Sequence, residues 1–456
     1  MAWDPDADAI AARGFALADE VLALVGGRAE ALVTCGQGHN ALTRFANSRI
    51  HQNMASDDDH VRLRVVTPDG RIAQASTTRI DRDGLVRLAE GALAAARLCP
   101  ADPEYPGLAP AGTVREVDHH DQATADASPD ARAEVVADFV GTGPDLESAG
   151  YCSTDSDTHV LVSTNGLRYA SRSTMAQVDA IHRAAALEGR PTDGYGQITS
   201  KRIADLDGRR VGEVAAQKAI AGAHPIELDP GSYEVVLEAK AVASMLLFPA
   251  WLGFNGKAHA EGTSFVHLGE QQMDPRIDLW DDGTDPRSLG RPYDAEGTPK
   301  RRLDLVRAGV AVGLVHDRRS AVLAGEEPNG CSIGQDGFGG YPGDLFLAPG
   351  DETVADLIGG VERGLLVTDF WYNRILDPKT QVVTGLTRNG LFLIEHGEVT
   401  RPVQNLRYTQ SVVGALAPGH VLGIGSDAQL VSNEGGIVHV PSLRLASWTF
   451  TGGAQG

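Results

Sequence analysis

The sequence predicts an α+β protein in two unlike halves. Residues 1–225 read as N-terminal helices on an antiparallel sheet, and residues 226–456 as a β-rich, barrel-like or sandwich domain. Three observations predict this. The first hundred residues alternate helical and strand periodicities in the order α-β-β-β-β-α, which suits helices laid on one face of a sheet. The second half carries many short apolar runs separated by glycine turns and few helical patterns. Between them, His224-Pro225 stops a helix, because the residue before proline disfavours the α region.

In chain order, residues 5–25 place Ile10, Phe15, Ala16, Val21 and Leu22 at helical spacing and end at Gly26-Gly27. Residues 29–35 read as a buried strand and 42–54 as a polar, alternating surface strand. Residues 60–66 and 71–78 form a hairpin about Pro68-Asp69-Gly70. Asp81 starts an Ala-rich helix to residue 98. Prolines make 99–110 an irregular connection, and 130–139 is a short helix. Asn165-Gly166 joins strands at 159–163 and 167–182, a strong hairpin signal. Residues 189–196 read as a loop and 203–223 as a helix.

In the second half, 233–237 is a strand and 239–252 a helix broken at Pro249. A hairpin over 304–315 turns at Ala308-Gly309. Strands follow at 345–347, 364–369, 381–384 and 391–394, the last joined through His396-Gly397 to 398–403. A short helix at 409–415 and strands at 436–440 and 443–451 close the chain.

With a net charge of −21, the chain is not expected to bind nucleic acid or an anionic membrane, since both need a basic face. Four cysteines without a CxxC pair predict a reducing, cytoplasmic setting. The acidic N-terminus lacks the apolar core of a signal peptide, and no run of about 18 apolar residues predicts a membrane span.

P-loop and GxGxxG patterns are absent. No histidine is followed by glutamate, so neither HExxH nor HExxxH occurs. His119-His120, and His259 with His267 eight residues on, are not ligand spacings and read as surface histidines. Cys331 reads as an inert thiol, since reactivity would need a neighbouring base or helix N-terminus. His316-Asp317-Arg318-Arg319 opens a short helix; Asp317 is either a helix cap with surface charge around it, or part of a polar cluster facing a substrate channel. Thr384–Arg388 (TGLTR) reads as a turn between strands, where Arg388 is either an exposed turn residue or a clamp for a peptide carboxylate or carbonyl.

The order of several segments resembles the TldD/PmbA family. These are RFANSRIHQNMAS, VRLRVVTPDGRIAQAST, Asp281-Asp282-Gly283-Thr284, AEGTPKRR, LDLVRAGVAVGLVHDRRSA, TGLTRNGLFLIEHGEVTRPV and the closing VPSLRLASWTFTGG. The resemblance implies a cytoplasmic zinc peptidase scaffold that takes peptides as extended strands by main-chain pairing. It also implies HExxxH on the helix after the VVL strand, with a C-terminal cysteine completing the zinc site. Here that helix reads LEAKAVASMLL, with Glu238, Lys240 and Ala243 where the motif would stand, and no cysteine follows Cys331. The pattern is similar to the PmbA/TldE-type subunit. The expectation is therefore a non-catalytic chain without cofactor, paired with a TldD-type subunit that carries HExxxH and zinc. His316, Arg318, Thr387, Arg388 and His259 are the expected substrate-binding residues, and no catalytic or metal-binding residue is expected. Two other readings stay open: a stand-alone metallopeptidase-like hydrolase with its site near His259, His316 or Cys331, and a homodimeric peptide-binding or scaffold protein.

Overall fold

The computed structural model describes residues 3–5, 8–184, 191–433 and 435–453. It is a mixed α+β structure, 24% helix and 41% strand. Residues 6–7 of the first expected helix and 189–190 of the expected loop lie outside the described residues.

The N-terminal half is built on one antiparallel sheet. Its order is Ile72–Thr77, Arg49–Val66, Glu30–Ala46, Glu147–Ser163, Arg168–Ala184, Thr192–Ser200. Four strands run 17 or 18 residues, about 55 Å at ordinary strand rise. Helices Ala9–Val25 and Arg82–Leu98 cover one part of one face, burying Phe15, Val21, Leu85 and Leu88 against Val33, Leu63 and Val160. Pro129–Gly141 and Gly208–Ala221 cover the other part of that face through Val135, Phe139, Val211 and Ala215. Asp81 caps the second helix by accepting from Gly84 N at 2.7 Å, as its position before the apolar run predicts.

Two expectations fail here. Residues 42–54 are not one strand: Asn47 and Ser48 take positive φ and turn the chain between two long strands, the geometry of a tight two-residue hairpin. Residues 192–196 are strand rather than loop, because Thr192–Ser200 pairs along Arg168–Ala184. In the second region tertiary pairing overrides the glycine and polar content that suggested a loop.

The C-terminal half holds a closed five-stranded barrel. Arg363–Asp377, Gly231–Leu237, Leu443–Gly453, Leu406–Ser411 and Val382–Glu395 pair in that order, and the last returns to the first. Inside, the Trp448 ring stacks on Phe370 at 4.8 Å beside Tyr408, with Val235, Leu365 and Leu393 around them. The segment 384–388 is therefore not a turn: it lies inside Val382–Glu395, paired on both sides. Residues 409–411 likewise belong to a strand, and only Val412–Ala415 is helical. Beside the barrel lies a second sheet, ordered Val310–Ala311, Leu303–Arg307, Leu279–Asp281, Leu345–Leu347, Gly436–Val440, Gln429–Asn433. Its first hairpin turns at Ala308 and Gly309 (φ 47° and 79°), as predicted.

The family-like segments 281–284 and 295–302 are structural. Lys300 Nζ lies 2.5 Å from Asp344 Oδ2 and 3.5 Å from Asp281 Oδ2, all three buried or nearly so. Asp294 accepts from the backbone amides of Glu296, Thr298 and Ser332. The uncovered face of the N-terminal sheet docks on this region through Leu32, Val66 and Leu161 against Tyr293, whose hydroxyl donates to His159 O at 3.0 Å.

Candidate functional site

The strand Gly231–Leu237 feeds directly into the helix Ala239–Phe248. Small and apolar residues dominate this helix, and it is buried nearly all round, which suits a core helix rather than an amphipathic one. Pro249 ends its regular turns, and Pro249–Gly253 continues as a π-turn. Lys240 is its single charged residue, and Ser244, one turn on, shares its face. Glu238 precedes the helix without capping it; its carboxylate instead meets Lys218 Nζ at 2.5 Å, tying the helix start to the N-terminal half.

Lys240 and Ser244 look into a polar cluster drawn from both halves. Lys240 Nζ donates to Ser432 O at 2.7 Å and lies 5.6 Å from the Tyr195 ring centroid. Ser244 Oγ stands 3.5 Å from Asp369 Oδ1. Tyr195 donates to Asp179 Oδ2 at 2.7 Å, and Gln177 donates to Tyr151 Oη at 3.2 Å. Asp369, only 4% exposed, is the chemical centre of the group. Burial pushes its carboxyl up to about 7, against the opposing pull of Lys240, and Asp179 adds to the rise. Near neutrality this acid is therefore poised between its two protonation states. Tyr151 is pushed up to about 12 by burial and the nearby Asp179 and Asp155, so it stays a neutral donor.

Two clefts open beside this cluster. One, about 800 Å³, runs between strand Thr192–Ser200 and helix Gly208–Ala221 on one side and Glu238–Lys240 and residues 427–431 on the other. The second, about 550 Å³, is lined by Trp371, Thr387, Arg388, Gln404 and Asn405. Here Arg388 lies over the Trp371 ring, 4.5 Å from its centroid, and pairs in register with Asp369 across the barrel wall. Thr387 is buried; its hydroxyl donates to Asn405 Oδ1 and accepts from Leu406 N.

The other expected substrate contacts gather elsewhere. His316 is buried: its ring packs against Gly256 and its Nδ1 lies 3.3 Å from Ser320 Oγ. Burial pulls its pKa down, so the ring is neutral. Arg318 Nε donates to Gly107 O, holding the 99–110 connection against the C-terminal half. His259 sits half-buried on the short helix Gly256–Ala260. None of these three lines either cleft. Asp317 caps Arg318–Ala324 by accepting from Ser320 N at 2.7 Å.

The residues at the helix start do not fit a zinc ion. An ammonium at Lys240 and a methyl at Ala243 offer no lone pair to a cation. Among the described residues, no group of three His, Cys, Asp or Glu side chains is placed to hold a metal. Cys331 is buried, and burial together with Asp281 holds its thiol well above its ordinary range. Lys240 and Ser244 were legible in the sequence. Asp369, Tyr195 and Asp179 were not, because only tertiary folding brings them to the helix.

Comparison with known proteins follows the same geometry. Residues 230–452 match the PmbA/TldA metallopeptidase C-terminal domain, and residues 36–96 match PmbA/TldA metallopeptidase domain 1. The metalloprotease slr0863 of Synechocystis is 24% identical over 235 residues, covering 49% of this chain and 48% of that protein. A TldD-homologous metalloprotease of Buchnera aphidicola is 22% identical over 199 residues, covering 42% and 39%. The chain thus spans about half or less of the length of these curated relatives. The fold matches TldE of Thermococcus kodakarensis with a TM-score of 0.87 at 19% identity, covering 96% of this chain and 100% of that one. It also matches a Thermotoga maritima protein described as a candidate modulator of a DNA gyrase, with a TM-score of 0.84 at 18% identity and the same coverage. The chain carries the first and the C-terminal domains of the PmbA/TldD metallopeptidase family.

Proposed function

We propose that this chain is a TldE-type, non-catalytic subunit of a heterodimeric cytoplasmic zinc metallopeptidase. It pairs with a TldD-type subunit that carries HExxxH and the zinc, shapes the chamber, and holds unfolded or precursor peptides as extended strands. The observation that carries this reading is Lys240. At the helix start where the resembling peptidases place their zinc motif, this chain sets a cation facing the buried Asp369. That arrangement repels a metal ion and offers hydrogen-bond donors to a peptide instead. Thr387 and Arg388 in the second cleft are the proposed peptide contacts on the barrel side.

Co-expression with a TldD-type subunit bearing HExxxH tests the assignment. A stable one-to-one complex is expected on size exclusion with light scattering. A chain that remains a homodimer in the presence of such a partner contradicts it and favours the scaffold reading.

A further inference from the structure

The larger cleft does not end at residue 200. It shares Ser200, Asp205 and Leu430 with a smaller pocket of about 300 Å³, so the two form one continuous groove between the halves. Its long part is bounded by two sheet edges. Thr192–Ser200 is the last strand of the N-terminal sheet, and Gln429–Asn433 the last strand of the second C-terminal sheet. Among the described residues, no strand pairs with the outer edge of either. Six consecutive residues, 195–200, line the groove on one side, about 20 Å of backbone at ordinary strand rise. Such edges take an extended chain by main-chain hydrogen bonding.

The smaller pocket has a different chemistry. It is lined by Lys201, Arg202 and Arg287 against one acid, Asp205, in a protein whose net charge is −21. Asp205 is engaged by Ser200, whose hydroxyl donates to its Oδ2 at 2.6 Å. Arg287 is held in place by a two-point bond to Asp285 and Lys201 by the carbonyl of Asp118. Arg202 is exposed, and among the described residues its guanidinium caps nothing and makes no hydrogen bond or ion pair. His439, more than nine-tenths buried, completes the wall, and its Nδ1 has no hydrogen-bond partner. Burial and the neighbouring Arg287 bring its pKa down to about 4, so it is neutral and able to donate. An unpaired guanidinium over a fixed cationic wall fits an anionic, carboxylate-sized group.

We infer that the Arg202–Arg287–His439 pocket binds a carboxylate, and that it receives the C-terminal carboxylate of a peptide whose backbone lies in the adjoining groove between the two sheet edges. This inference rests on the peptide-binding reading above and adds a polarity to it: chains enter with a free C-terminus leading. An acidic side chain could supply the same group, so the test separates the two sources.

The test uses the full chain and fluorescence anisotropy with a short fluorescein-labelled peptide of Ser, Ala and Val. The peptide is prepared as the free acid, as the C-terminal amide, and as an amide with one internal Glu. The free acid is expected to bind about tenfold or more tightly than either amide, the scale of one charge-assisted contact. Arg202→Glu should bring the acid down to the level of the amide and leave the amide unchanged, with an unaltered unfolding midpoint. The acid–amide comparison on the unmodified chain stands even if that variant folds poorly. Equal binding of acid and amide overturns the carboxylate pocket and leaves peptide binding intact. An internal-Glu amide that binds as well as the free acid overturns the terminus assignment. Failure of every peptide to bind overturns both the pocket and the peptide-binding reading.

Discussion

Asp369→Asn removes the ionisable group at the centre of the polar cluster while keeping its shape. The carboxyl is buried beside Lys240 and Ser244, and its pKa rises from an ordinary 3.8 to about 7. A raised carboxyl pKa contributes stability that is fully present below the unfolded value and is lost as pH rises through the folded value. Between pH 5 and pH 8, linkage from 3.8 unfolded to about 7 folded amounts to about 2–3 kcal/mol of lost stability from this one group. The variant lacks that component. Urea unfolding at the two pH values should therefore show the unmodified chain losing about 2–3 kcal/mol more than Asp369→Asn between pH 5 and pH 8. The pull of Lys240 acts only on the ionised carboxylate and is already contained in the value of about 7, so it adds nothing further to the difference. A variant whose pH dependence parallels that of the unmodified chain would refute the reasoning, because Asp369 would then ionise as an ordinary acid.

Two further perturbations probe the frame around the site. Lys300→Met leaves Asp281 and Asp344 facing each other without their cation. Breaking a buried pair this way should cost about 3–5 kcal/mol in urea unfolding, and a loss below about 1 kcal/mol, the scale of an exposed pair, would place the cluster in solvent. Of the four free cysteines, Cys35, Cys152 and Cys331 are buried and Cys99 is partly exposed. Burial pushes the thiols of Cys35 and Cys152 up to about 12. A thiol-specific reagent at pH 8 should modify Cys99 first in the native protein and all four in urea. Rapid native modification of Cys331 would contradict its packing against Asp281.

What was legible in the sequence had local causes. The strand–helix unit at 231–248 shows in a VVL run followed by alanines and stopped by Pro249. Asp81 and Asp317 announce their helices as caps, and Ala308-Gly309 announces its hairpin. What was not legible depends on distant partners. Residues 38–60 are polar and largely exposed, yet they belong to two strands because the hairpin pairs along its full length with itself and with Glu147–Ser163. TGLTR resembles a turn, but strands Arg363–Asp377 and Leu406–Ser411 pair on either side and keep it extended. Gly385 serves there as a place where Tyr408 and Asn373 approach the backbone too closely for a side chain. The same division holds at the site. The unusual content of the 239–248 helix is visible in a single segment, whereas Asp179, Tyr195 and Asp369 lie up to 190 residues apart and meet only through docking of the N-terminal sheet on the barrel.

The central claim is that this chain keeps a peptidase frame while its own helix holds a lysine in place of a zinc motif. Metal analysis with a peptidase assay of the purified chain, alone and combined with an HExxxH-bearing TldD-type subunit, tests it most directly. The account predicts that the chain alone binds no stoichiometric zinc and hydrolyses no unfolded peptide, and that the combination does both. Stoichiometric, tightly bound zinc with hydrolysis by the chain alone would contradict it.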